Sequence, residues 1–335
     1  MGISQLNSFL NKNCSEHIHN LSLSKLRNKK MVIDVQIYLY SFLCSSNGSL
    51  MQNLYLMCSL FIKYEIVPLF VFDGRPMVPN NIPTNKTDKQ KQRKDNRNHI
   101  INTILLNSDP DKIISNAKFQ TLCRQLVRVS NAQISKAKQV ILSFGFTCFD
   151  ATEEADEICA HVSMSNPECA CLSEDSDMFA YGCTQIYRNL NLECETISYV
   201  NVSAILTKLE MSAEELRTIC VLSKNDYNCN RDNVPNIFKL MEHFKEFKQL
   251  TKNTYPNKDF YEWLSLSTKN IHQINETTES NSNTNTSNQI IFQKIYNIFD
   301  VCSKPISLPK IYFANSQIKH QNLKNIMESE GFHYL

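Results

Sequence analysis

Short apolar runs that end on an acid recur along this chain. Met31-Val32-Ile33 leads into Asp34, Val67-Pro68-Leu69-Phe70-Val71-Phe72 into Asp73-Gly74, and Cys169-Ala170-Cys171-Leu172 into Ser173-Glu174-Asp175-Ser176-Asp177. Runs this short and this apolar have the character of strands buried on both faces. Helical spacing follows the first, with Ile37, Tyr38, Tyr40, Phe42 and Leu43. A strand, a terminal carboxylate and a helix, repeated, predict an α/β fold with a mainly parallel central sheet and helices on both faces. Ligands bind at the carboxyl ends of such strands. Residues far apart in sequence are therefore expected to meet there.

The remaining pattern fills in this frame. Leu6, Phe9 and Leu10 are spaced for a helix, and Phe119–Leu142 reads as a longer helical stretch with Arg124 and Arg128 four apart. Phe144–Phe149 is expected to be a strand leading into Glu154 and Asp156, which open a helix. Ile186-Tyr187 and Ile197–Tyr199 read as strands, and Ser212–Leu222 and Pro235–Phe260 as helices. Gln273–Gln289 (QINETTESNSNTNTSNQ) is polar low-complexity sequence. The expected organisation is an N-terminal region at 1–107 and an internal one at 108–250. A polar insertion or linker at 251–289 and a C-terminal segment at 290–335 complete a smaller helical region.

Composition narrows the class. With 335 residues, 42% hydrophobic and 20% charged, the chain can bury a real core. No apolar run approaches the roughly 20 residues that span a membrane, so a nuclear or a cytoplasmic location is expected. Thirteen cysteines, scattered and without a Cys-x-x-Cys, read as reduced core residues rather than a disulfide or zinc framework. The net charge of +2 averages acidic clusters against one basic run. Lys86, Lys89, Lys91, Arg93, Lys94 and Arg97 face only Asp88 and Asp95 within that run, a local excess of about +4 that suits a polyanion.

Asp34, Asp73, Glu154, Asp156, Asp175, Asp177 and Asp226 together make an oxygen-only candidate site. Such donors select Mg²⁺ or Mn²⁺ over zinc. Clustered carboxylates raise each other's pKa unless cations neutralise them, and two divalent ions in one site suit phosphoryl-transfer chemistry.

These motifs carry a resemblance. Met1-Gly2-Ile3, Ile33-Asp34 with Tyr40, Val71-Phe72-Asp73-Gly74-Arg75-Pro76, Glu154-Ala155-Asp156, Ser173–Asp177 and Asn225-Asp226-Tyr227 stand in the order found in the flap endonuclease and XPG-type nucleases, which the chain resembles over roughly residues 1 to 230. The resemblance implies a PIN-like nuclease core and Mg²⁺-dependent hydrolysis of DNA near 5′ flaps or junctions. By it, Asp34, Asp73, Glu154 and Asp156 hold one metal, while Asp175, Asp177 and Asp226 hold another. Lys86 and Arg93 contact the scissile phosphate, with Lys89 able to replace either. Gly2 lies at the DNA junction, Tyr40 stacks on a base, and Arg124 and Arg128 line an arch for single strands. Lys91, Lys94 and Arg97 join the nucleic-acid contacts, the partner is branched or flapped DNA, and the protein acts as a monomer. The Asn-rich composition suits an AT-rich genome such as that of a large DNA virus.

Blander roles stand beside these. An Asp after a strand is often a turn or helix cap, Tyr40 could face the core, and a basic run can be a solvated loop. The sequence also departs from the family. Asn228–Pro235 replaces the usual Gly-x-Gly hairpin, which leaves a 5′ to 3′ exonuclease on DNA or RNA, or a non-catalytic scaffold, as alternatives. No Gln-x-x-Leu-x-x-Phe-Phe sliding-clamp motif occurs.

Overall fold

Alternation along the three central strands feeds two separate cores. In a computed structural model of the chain, Val32, Leu69, Val71, Cys169 and Cys171 point into one apolar cluster, and Met31, Ile33, Phe70, Phe72, Ala170 and Leu172 into the other. A strand with both sets of side chains buried needs helices on both sides of the sheet. The structure describes residues 2–45, 48–74, 128–152, 154–228, 234–251, 260–264, 282–303, 313 and 315–332.

Among the described residues the strands are β1 (Ile18–Ser22), β2 (Lys30–Asp34), β3 (Val67–Phe72), β4 (Thr147–Asp150), β5 (Cys169–Leu172), β6 (Gln185–Asn191) and β7 (Thr196–Asn201). They form one sheet in the order β1-β7-β6-β5-β2-β3-β4. The run from β6 to β4 is parallel, and β7 pairs antiparallel with both β6 and β1. The expected mainly parallel sheet is thus present, with an antiparallel edge. β2 is flanked by β3 from the expected N-terminal region and β5 from the expected internal one. The two regions therefore build one sheet.

The helices follow the sequence signals, with three corrections. Those described include α1 (Leu6–Asn13), α2 (Val35–Cys44), α3 (Leu50–Lys63), α4 (Asn131–Ser143), α5 (Ala155–Ser165), α6 (Asp177–Tyr181), α7 (Val202–Lys208), α8 (Ala213–Leu222), α9 (Ile237–Thr251), α10 (Ser282–Phe299) and α11 (His320–Ser329). The helix expected from Phe119 starts, among the described residues, only at Asn131. Ser130 caps it, exchanging hydrogen bonds with Gln133 in a capping box. Arg128 therefore precedes the helix, and 119–127, with Arg124, lie outside the described residues. The strand expected from Phe144 starts at Thr147, because Phe144 caps α4 and Gly145 takes a left-handed φ of 83°. The polar stretch assigned to a linker is partly helical. α10 begins within it at Ser282, and Phe260, inside the expected 251–289 insertion, is buried in the core.

Candidate metal centre

Four neighbouring strands deliver the acids to one edge. Asp34 is the last residue of β2 and Asp73 follows β3 directly. Glu154 caps α5 just beyond β4, Asp156 lies in that helix's first turn, and Asp175 and Asp177 follow β5. Asp226 arrives from another direction, in the loop after α8.

Asp156, Asp175 and Asp177 each offer a carboxylate oxygen within 4.8 Å of the other two. Mutual repulsion draws in the rest. Burial, and then the charges of Asp34, Asp175, Glu154 and Asp177, push Asp156 well above the usual carboxylate range. Burial and the Asp73 and Asp175 charges push Asp34 up to about 7, although a Ser173 hydroxyl bond opposes them. Asp175 is raised by burial, and the Asp226 charge adds to this. All seven expected carboxylates thus share one electrostatic neighbourhood. Each raised value has the same physical origin, negative charge held away from water beside more negative charge. An all-oxygen donor set under such repulsion fits a hard divalent cation.

The scaffolding of these acids was not legible in the sequence. The buried Ser173 hydroxyl donates to Asp34 Oδ2 at 3.2 Å and accepts the Asp175 N–H at 3.1 Å. Asp175 Oδ1 accepts the Asp177 N–H at 3.0 Å. Asp73 Oδ1 accepts the N–H of Ala155 at 2.9 Å, so it takes a helix-capping role at the start of α5. Tyr38 donates to Glu174 Oε1 at 2.8 Å, and the Asn189 N–H reaches the same oxygen at 2.6 Å. The buried Arg188 guanidinium bonds the Glu174 carbonyl and the Asn7 side chain. Ser173 and Ser176 are interleaved with the acids of the Ser173–Asp177 motif. Tyr38 stands four residues after Asp34, one helical turn along.

The loop carrying Asp226 is closed by two asparagines. Asn225 Nδ2 donates to the carbonyls of Cys220, Val221 and Ser223, and Asn228 Nδ2 to those of Val221 and Ser223. The end of α8 has its orphan carbonyls satisfied by side chains. Residues 229–233 of the departing Asn228–Pro235 segment lie outside the described residues.

The nucleic-acid candidates divide. Gly2 adopts φ 84°, and a Cβ there would fall 2.2 Å from Asp175 Oδ1 and 2.7 Å from Asp177 Oδ1. Only glycine fits so close to the acids. Tyr40 is 39% exposed while Tyr38 is 4% exposed, so the core position on α2 belongs to Tyr38. Arg128 is exposed. Lys86, Lys89, Lys91, Arg93, Lys94, Arg97 and Arg124 lie outside the described residues. No helix among the described residues is long and apolar enough to cross a membrane.

Comparison with known proteins adds the family. Flap endonuclease 1 of Theileria parva is 28% identical over 243 residues, covering 68% of this chain and 47% of the relative. A probable RAD2-like endonuclease, 369L, of Invertebrate iridescent virus 6 is 24% identical over 288 residues, 69% of this chain and 68% of that protein. The chain spans about half the length of the flap endonuclease 1 relatives from Theileria and Cryptosporidium. Among solved structures, the catalytic core of Rad2 in complex with DNA substrate superposes with a TM-score of 0.64 at 20% identity, over 97% of this chain and 95% of that one. The XPG N-terminal domain matches residues 1–100 and the XPG I-region residues 145–226. These two segments, together more than half of the chain, hold all seven carboxylates. The chain belongs to the XPG family.

Proposed function

We propose that this protein is a Mg²⁺-dependent, structure-specific DNA endonuclease that hydrolyses phosphodiesters at or near 5′ flaps or junctions. The observation that carries the reading is the meeting of Asp156, Asp175 and Asp177 oxygens within 4.8 Å at the carboxyl edge of the sheet. Relatives named flap endonuclease 1 and the Rad2 core bound to DNA substrate support it.

Asp34, Asp73, Glu154 and Asp156 would hold one Mg²⁺, and Asp175, Asp177 and Asp226 a second, with Mn²⁺ able to substitute. When bound, these ions supply a water of lowered pKa and a Lewis acid for the phosphate. The chain's own residues do the rest. Ser173 keeps Asp34 and Asp175 at fixed separation. Gly2 leaves room beside the acids, and exposed Tyr40 offers an aromatic face for a base. Lys86 and Arg93 are assigned to the charge that develops on the phosphate. Lys89, Lys91, Lys94, Arg97, Arg124 and Arg128 are assigned to the backbone of the nucleic acid. The protein acts as a monomer on branched DNA, in the nucleus (a host nucleus for a viral protein) or the cytoplasm.

The test is cleavage of end-labelled 5′-flap, single-stranded and blunt duplex DNA with Mg²⁺ and with EDTA. Cutting near the flap junction only with Mg²⁺ is expected. Asn228–Pro235, in place of a Gly-x-Gly hairpin, favours a second reading as a 5′ to 3′ exonuclease. Release of products only from free ends would decide for it. DNA binding without any cutting would leave a scaffold.

A further inference from the structure

Residues 2–4 touch both loops that bring Asp175, Asp177 and Asp226 to the site. The Ser176 hydroxyl, between Asp175 and Asp177 and only 1% exposed, accepts the Ile3 N–H at 2.7 Å and lies 3.4 Å from the Ile3 carbonyl. One residue on, the Ser4 N–H donates to the Lys224 carbonyl at 2.8 Å, two positions before Asp226. Gly2 lies against the Asp175 and Asp177 carboxylates on the near side. The Ser4 side is anchored in turn, since α1 begins at Leu6 and buries Leu6, Phe9 and Leu10 in the core.

From this geometry we infer that Ser176 is a positioning residue. Its hydroxyl makes residues 3–4 a strut that sets the distance between the Asp175/Asp177 loop and the Asp226 loop, and with it the affinity for the second Mg²⁺. The inference rests on the metal-site reading above. Asp175, Asp177 and Asp226 come from loops that share no strand: one follows β5, the other follows α8. Their repulsion drives them apart when no cation is present. Two hydrogen bonds, from the Ile3 N–H to the Ser176 hydroxyl and from the Ser4 N–H to the Lys224 carbonyl, oppose that separation. An outer contact that fixes metal ligands typically changes metal affinity by about 10- to 100-fold when removed. A serine is suited to the task because its hydroxyl can accept from a backbone N–H and donate to a carbonyl in a dry site.

The experiment is Mg²⁺ binding by isothermal titration calorimetry on the whole chain, with hydrogen exchange at the Ile3 amide and the Mg²⁺ dependence of flap cleavage. Ser176→Ala and Ser4→Pro cut the strut at its two ends. Ser176→Thr keeps the acceptor. Expected results are weakening of Mg²⁺ binding by about tenfold in Ser176→Ala, a matching rise in half-saturating Mg²⁺, faster Ile3 exchange, and recovery in Ser176→Thr. Ser4→Pro, which lacks the N–H, is expected to weaken Mg²⁺ binding in the same direction. It reads the strut even if Ser176→Ala does not fold. Wild-type affinity in both cut variants, or in the one that folds, would overturn the inference. A wild-type chain that binds no Mg²⁺ would instead overturn the metal reading on which it rests.

Discussion

Ser173 and Asp34, 139 positions apart in the chain, are joined by a hydrogen bond of 3.2 Å across the neighbouring strands β5 and β2. The bond gives the acid at the end of β2 a fixed orientation toward the loop that carries Asp175. Without it, Asp34 would keep its neighbours' repulsion and lose a group that favours its ionised form. The same hydroxyl holds the Asp175 N–H, so one small side chain registers two loops.

Replacing Asp175 and Asp177 together by Asn is expected to lower Mg²⁺-dependent cleavage by at least about a hundredfold, the scale for losing preorganised charge in a site. DNA affinity in the absence of Mg²⁺ should hold or rise, because two negative charges beside a polyanion are gone. Single-turnover cleavage and a filter or anisotropy binding assay separate the two. A variant that cuts normally would remove these residues from the centre.

The raised pKa of Asp34 makes metal-free stability depend on pH in a defined direction. Burial and then the Asp73 charge hold its folded value at about 7, above the 3.8 of an unperturbed Asp. Between those values the folded state keeps a proton that the unfolded state has lost, so the contribution is complete below about 4 and is lost as pH rises through about 7. Asp156 and Asp175 are shifted the same way. Thermal melting in EDTA should therefore show a lower Tm at pH 8 than at pH 5. Added Mg²⁺ should raise Tm more at pH 8, where it binds carboxylates that are already ionised. Equal Mg²⁺ gains at both pH values would contradict this.

Tyr38→Phe removes the donor to Glu174 Oε1 and leaves the ring in place. Loss of a hydrogen bond to a charged group costs about 1.5–3 kcal/mol, and the remaining Asn189 N–H on the same oxygen argues for the lower end. Chemical denaturation should show a lower midpoint with an unchanged m-value. An unchanged midpoint would mean that Arg188 and Asn189 alone fix Glu174.

Asn225→Ala strips three carbonyls at the end of α8 of one shared donor group, at a position only 2% exposed. Unsatisfied buried polar groups cost about 1–3 kcal/mol each, partly offset here because Asn228 still reaches Val221 and Ser223. A total loss of about 2–4 kcal/mol is expected, with weaker Mg²⁺ binding, since Asp226 follows directly. Melting and Mg²⁺ titration of the same preparation check both effects.

The strand runs with their terminal acids were legible because apolar length and a final charge are local signals. Val67–Phe72 is a strand to the residue, and Cys169–Leu172 likewise. Boundaries were lost where a cap overrode periodicity. Ser130 caps α4 at Asn131, inside the helix expected over Phe119–Leu142, and Gly145 ends it inside what reads as a strand. The hydrogen bonds that orient the acids were not legible. Ser173, Ser176, Tyr38 and Asn225 acquire partners only through tertiary contact, and neither periodicity nor composition marks a serine as the acceptor of a distant amide.

The sheet order also sets a schedule for synthesis. Lys30 of β2 pairs with Cys169 of β5, 139 positions later, while its other neighbour β3 is available from residue 67. A ribosome adding about 5–20 residues per second would leave one side of β2 without its partner for roughly 7–28 s. During that time the Met31-Val32-Ile33 backbone presents an open edge to any other extended segment. A long wait for a non-local pairing slows folding. The nascent chain therefore holds the strand that carries Asp34 half-built until Asp73, Glu154 and Asp156 have also been translated.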